Sequence, residues 1–108
     1  MTALDEPAYL LDLDVRGRSC LVVGRGFSAN RRVEAMRARG AEVTLVSSHG
    51  YERGMAARFE LVVTCDRRVD ELVIADAART AGTRIHVVGD PARSSMLLPR
   101  PHLRQLAS

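Results

Sequence analysis

Two rhythms of apolar residues alternate along this 108-residue chain. Short β-branched runs read as strands, and stretches with apolar residues every three or four positions read as helices. Residues 10–15, Leu-Leu-Asp-Leu-Asp-Val, alternate apolar and acidic positions and predict a half-buried edge strand or extended segment. Arg16-Gly17-Arg18 is a turn, and residues 19–23 form the first central strand. A first helix follows over residues 28–39, with Ala29, Val33 and Met36 on its inner face and Arg31, Arg32, Glu34 and Arg37 outside. Gly40 supplies its stop. Residues 42–47 are a second strand, 48–50 a loop, and 51–58 a short helix weakened by Gly54. The third strand covers 59–64. Asp66 is placed to cap a second main helix with the stripe Val69, Leu72, Val73 and Ala77, ended by Gly82. Residues 84–88 are a fourth strand, and Gly89-Asp90-Pro91 turns the chain after it.

Strands alternating with helices predict an α/β fold, a Rossmann-like three-layer domain with a parallel sheet of about four to five strands. The whole chain, residues 1–108, is expected to form one such domain. Ligands of these sheets bind at the carboxyl ends of the strands, beside the reversal in strand order. Four loops belong to that end: residues 25–28, 47–50, 64–66 and 89–95.

Composition narrows the chemistry. Apolar residues make up 46% and charged residues 27%, as in a water-soluble globular protein. No apolar run approaches the ~20 residues a membrane span needs, so the expectation is a cytoplasmic protein without membrane contact. All sixteen basic residues are arginine. Without lysine, Schiff-base and P-loop chemistry are excluded. The net charge of +3 suits an anionic small ligand as well as it suits nucleic acid. Aromatics are only 4% and the arginines are scattered, so nucleic acid is not expected as a partner. Cys20 and Cys65 have no metal spacing and read as small buried hydrophobes, with a redox pair as the alternative; no metal site is expected.

The densest chemical signal is Gly24-Arg25-Gly26-Phe27-Ser28-Ala29, which joins the first strand to the first helix. In a Gly-x-Gly-x-x-Ala turn the first glycine permits the tight turn, and the second admits a pyrophosphate to the backbone. The alanine lets the helix lie close to the strand. The helix N-terminus adds N–H donors and a positive dipole end. The plain alternative is a tight turn without a ligand. No acidic residue ends the second strand, where Ser47, Ser48 and His49 stand instead. The usual acceptor for a ribose 2′-hydroxyl is therefore missing there, and NADP, with His49 or Arg53 near the phosphate, stays open beside NAD.

A wider set of residues resembles a known family. Asp12-Leu13, Gly17-Arg18, the segment from Leu21 through Gly24, Gly26 and Ala29 to Arg31-Arg32, and Gly40-Ala41 with Val43-Thr44 are similar to the N-terminal module of siroheme synthases. That module is the precorrin-2 dehydrogenase (sirohydrochlorin ferrochelatase). Leu61-Val62-Val63 with Asp66, Val87-Val88-Gly89-Asp90-Pro91, and Ser95 to Pro99 extend the resemblance along nearly the whole chain. It implies NAD-dependent oxidation of precorrin-2 to sirohydrochlorin, with iron insertion in some members. Phe27 and Ser28 would meet the pyrophosphate through their backbone, Ser48 and His49 would lie by the adenosine ribose, and Thr64 to Asp66 would flank the nicotinamide.

Four features depart from the family pattern. Arg25 replaces the middle glycine of a triplet, and either forks onto an anion or points to solvent. The connection from Ser47 to Phe59 is too short for the family's extra strand. Gly89 stands where the family has its proposed catalytic aspartate, which makes Asp90, one residue on, the candidate acid/base. The family also continues into dimerisation and chelatase regions beyond the point matching Pro99. Arg93, Arg100, Arg104 and His102 form a basic tail that is either solvated or set to meet substrate carboxylates. His86, on the fourth strand, reads as a packed or surface histidine ahead of a proton relay. Two readings follow. One is an NAD-dependent enzyme acting on a polycarboxylate tetrapyrrole. The other is a degenerate module that binds NAD or a tetrapyrrole, as a sensor or as a subunit of a fuller siroheme synthase. A homodimer is compatible with either reading.

Overall fold

The computed structural model describes residues 15–90 and Ser94. The expected extended segment at 10–15, apart from Val15, lies outside the described residues, as do Arg93, Arg100, Arg104, His102 and the apolar stretch 96–98.

The elements are β1 (Ser19–Val23), α1 (Phe27–Ala38), β2 (Glu42–Val46), a 3-10 turn (Met55–Arg58), β3 (Leu61–Thr64), α2 (Asp70–Ala77) and β4 (Arg84–Val87). The strands form one parallel sheet in the order β2-β1-β3-β4. Parallel strands covered on both faces carry continuous apolar runs. β1 and β3, Ser-Cys-Leu-Val-Val and Leu-Val-Val-Thr, are of this kind, and all but Ser19 are buried. Alternate side chains go to opposite faces. Cys20, Val22, Leu61 and Val63 meet Ala29, Val33 and Met36 of α1. Leu21, Val23, Val62, Ile85 and Val87 meet Tyr51, Ala56, Val73 and Ala77 on the other side. The result is three layers, with the expected α/β architecture and four strands.

The connection from β2 to β3 holds no strand, and the helix expected over 51–58 shrinks to the 3-10 turn. Gly54, at φ +85° in the left-handed region, ends any helix from Tyr51. A buried polar network holds the segment instead. The Tyr51 hydroxyl donates to Asp76 at 2.6 Å, the Gly54 N–H donates to the same carboxylate oxygen at 2.7 Å, and the Ala56 N–H donates to the Tyr51 oxygen at 3.0 Å. Asp76 is only 2% exposed. Burial, and then the bond to Asp76, push the Tyr51 hydroxyl up to about 12.

α2 is shorter than its pattern implies, and Asp66 does not cap it. The N-cap position is Val69, without a side-chain cap. Asp66 instead closes the turn before the helix, its carboxylate accepting the Arg68 N–H at 2.9 Å and its carbonyl the Val69 N–H at 3.1 Å. Such local bonding by Asp competes with helix, which starts only at Asp70. At the other end, bonds from Arg79 N–H to Asp76 and from Thr80 N–H to Ala77 tighten the last turn, five residues ahead of Gly82.

Register separates the cysteines. Cys20 pairs with Leu61, so Cys65 lies four residues farther along the neighbouring strand direction. At ~3.3 Å per residue that is about 13 Å, too far for a disulfide. Both are free thiols. Cys20 is buried, and burial first, then Glu60, raise its thiol to about 11. Cys65 is half-buried at the strand ends.

Candidate functional site

From β1 the chain steps to β2 on one side and then crosses to β3 on the other. The switch point is therefore at the carboxyl ends of β1 and β3, where an open crevice forms in sheets of this kind. Gly24 sits at its base. Its N–H donates to Val46 O at 2.8 Å, and the Cys65 N–H donates to Val23 O at 2.8 Å. A Cβ on Gly24 would lie 3.2 Å from the Cβ of Cys65, and φ is +145°, so only glycine fits without displacement.

Gly26 is the N-cap of α1 at φ 93°, and its carbonyl accepts the Asn30 N–H at 3.0 Å. A Cβ there would meet nothing within 4 Å, which leaves the space in front of the helix open. No side chain caps α1 and no acidic residue stands in its first turn. The backbone donors and dipole of this turn thus face an open space with no competing carboxylate of the helix, the arrangement a pyrophosphate requires. Ala29, fully buried, seats the helix on β1 and β3. Phe27 is 76% exposed, with the Arg31 guanidinium 5.4 Å from its ring centroid. The Ser28 hydroxyl and carbonyl accept Arg32 Nη1 at 2.7 and 3.1 Å, which turns that hydroxyl along the helix.

Three loops converge on the crevice. Arg25 is exposed at the turn after β1, Ser48 is half-buried and His49 exposed after β2, and Asp66 is half-buried after β3. The Arg68 N–H holds the Asp66 carboxyl below its ordinary value, with help from the Ser48 side chain and the charges of Arg68 and Arg25. The side chain after β2 and the charge after β1 thus act on a carboxyl that follows β3. Thr64 is placed beneath them. It is fully buried, and its hydroxyl donates to Asp70 at 2.7 Å, so it supports the β3 loop from inside.

Asp90 is half-buried after β4, two strands from β1. Its N–H donates to Val87 O at 3.0 Å and its carbonyl accepts the Ser94 hydroxyl at 3.2 Å. Ser94 also receives the Val87 N–H at 2.7 Å, and so closes the loop onto β4. Gly89 has φ +82° with nothing within 4 Å of an added Cβ. His86 is packed, 5% exposed, its Nδ1 3.5 Å from the Ser94 hydroxyl, and burial pushes it down to about 4.

Sequence reasoning missed Arg67, Arg68 and Ser94. Arg67 and Arg68 are exposed beside Asp66, and their adjacency after a strand end was a readable signal. Nothing local marked Ser94, whose partners lie up to eight residues back. Among the described residues, no three His, Cys, Asp or Glu side chains gather as a metal site, and no helix is long and apolar enough to cross a membrane.

A parallel sheet whose switch point carries a bare glycine turn and an uncapped helix defines a dinucleotide-binding α/β protein. Residues 11–100 match the model of a family described as "Putative NAD(P)-binding", and the chain belongs to that family. No curated protein matches the chain.

Proposed function

We propose that this protein oxidises precorrin-2 to sirohydrochlorin with NAD in siroheme biosynthesis. The observation that carries the cofactor half is the uncapped start of α1 at Gly26, with open space before it and no acidic residue in the first turn of the helix. Gly24, Gly26 and the backbone of Phe27 and Ser28 hold the pyrophosphate, and Ser48 and His49 lie on the adenosine side. NAD, when bound, supplies the hydride acceptor. The substrate half rests on the resemblance to the siroheme synthase module and on Arg25, Arg67 and Arg68, exposed around the same loops. Arginine forks suit the many carboxylates of a tetrapyrrole. Oxidation releases a proton with the hydride, and Asp90, after β4, is the base for it in this chain. Most of the rate comes from holding cofactor and substrate in register.

A second reading is favoured by Gly89, whose left-handed backbone stands where the family has its proposed acid/base. On that reading the chain binds NAD or the tetrapyrrole without turnover, as a sensor or in association with a fuller siroheme synthase. One experiment separates the two. Purified protein is mixed with precorrin-2 and NAD, and sirohydrochlorin absorbance is followed beside an NADH titration. Turnover supports the enzyme. Binding without turnover removes the enzyme and leaves the module, and absence of NADH binding removes the NAD-dependent reading.

A further inference from the structure

Two arginines of α1 carry their charge toward the end of the helix that ordinarily repels cations. Arg31 and Arg32 stand one turn, about 5.4 Å, below Phe27 and Ser28 along the helix. Helical side chains lean toward the N-terminus, so both can reach back over the first turn. Their contacts are of this kind. The Arg31 guanidinium stands over the Phe27 ring, 5.4 Å from its centroid. Phe27 is 76% exposed, so the core does not hold this ring, and the negative face of the ring attracts the guanidinium. Arg32 Nη1 donates to the Ser28 hydroxyl at 2.7 Å and to the Ser28 carbonyl at 3.1 Å. Two positive charges are thereby brought up to Phe27 and Ser28, the residues that follow the open turn at Gly26. No acidic residue in the first turn offsets their repulsion by the helix dipole. An anion in front of Gly26 turns that repulsion into attraction.

We propose that Arg31 and Arg32 are the side-chain counter-charges for the pyrophosphate of the bound dinucleotide, and that Phe27 positions Arg31 for this part. The proposal rests on the dinucleotide reading above and adds side chains to a site so far built from backbone N–H groups. A helix end supplies only about half a positive charge, less than the charge a pyrophosphate brings. Two guanidinium groups beside the first turn make up the difference. The ring of Phe27 serves as the shelf on which one of them rests. The attraction is one of charge, so salt screens it.

The test is fluorescence titration of the full chain with NADH over a range of salt concentrations, repeated as displacement of NADH by inorganic pyrophosphate. Arg31→Gln and Arg32→Gln should each weaken NADH binding by roughly three- to tenfold at low salt, and the binding that remains should depend less on salt than in the wild type. The inhibition constant of pyrophosphate should rise by a similar factor. Urea midpoints should stay near that of the wild type, because Ala29, Val33 and Met36, which seat α1 on the sheet, are untouched. Phe27→Ala should weaken NADH binding as Arg31→Gln does. The double variant Phe27→Ala/Arg31→Gln should bind no more weakly than Arg31→Gln alone, since both changes remove one interaction. Additive losses overturn the role of Phe27. Weaker binding with a lowered urea midpoint and an unchanged salt dependence overturns the proposal in favour of a structural role. Wild-type affinity and salt dependence in both arginine variants also overturn it, while leaving dinucleotide binding intact. Failure of cooperatively folded wild-type protein to bind NADH overturns the dinucleotide reading itself, and this assignment with it.

Discussion

His86 makes a sharp prediction because its burial and its position are both defined. The imidazole lies on the inner part of β4 at 5% exposure, and burial lowers it from 6.5 to about 4. A folded-state value below the unfolded one means that the native protein resists protonation there. Above pH 6.5 both states carry a neutral ring, and the contribution to stability is fully present. Between 6.5 and about 4 the unfolded chain takes up a proton that the native state refuses. Stability then falls by about 1.4 kcal/mol per pH unit and levels off below the folded value. Over the whole window the loss is about 3 kcal/mol, and from pH 6.5 to about pH 5 it is about 2 kcal/mol. Domains of this size have only ~5–15 kcal/mol in total, so the effect is large. Urea denaturation at about pH 7 and about pH 5 should show the midpoint falling by roughly 1 M, given slopes of ~1–3 kcal/mol per M. His86→Gln removes the titrating group, and its stability should change much less over the same interval. The Asp66 carboxyl is held below 3.8 and contributes no slope in this window. Equal wild-type stability at both pH values, or an unchanged slope in His86→Gln, would refute the reasoning.

Other substitutions separate structural from ligand-binding roles. Gly24→Ala meets both a φ of +145° and a 3.2 Å contact with Cys65. It should cost about 2–4 kcal/mol in urea denaturation from strain and overpacking, and a midpoint like that of the wild type would sink the close-approach argument. Gly26→Ala meets only the φ of +93°. It should cost about 1–2 kcal/mol in stability yet weaken NADH binding by roughly tenfold or more, because the methyl group fills the open side of the cradle. Asp76→Ala leaves the Tyr51 hydroxyl and the Gly54 N–H without their buried acceptor. A loss of about 2–4 kcal/mol is expected by denaturation, and a change below about 0.5 kcal/mol would show that the network is dispensable. Gly89→Asp enters a left-handed position with open space around it. It should fold at a cost of about 1 kcal/mol, and a gain in sirohydrochlorin formation over wild type would identify Gly89 as the site of lost chemistry.

Much of the architecture was legible in one dimension. The Cys20–Val23 and Leu61–Thr64 runs are strands because continuous buried runs rich in valine suit a sheet covered on both faces. Ala29, Val33 and Met36 mark the inner face of α1 by spacing alone, and all three are buried. The glycine turn was readable for the same reason: positive φ and close approach are local demands that leave few residue choices. Elements that depend on partners distant in sequence were read less well. The helix expected at residues 51–58 loses to a bond between Tyr51 and Asp76, 25 residues apart. The Asp66 cap loses to the Asx turn with Arg68.

The sequence by itself determined that a strand, a glycine turn and a helix follow one another, and that no acid ends β2. These are properties of neighbours along the chain, set by backbone sterics and by the period of burial. Only the tertiary structure decided that the crevice opens between β1 and β3 and that Thr64 is turned inward to Asp70. Those outcomes depend on strand order and register, which are settled by packing two apolar faces at once.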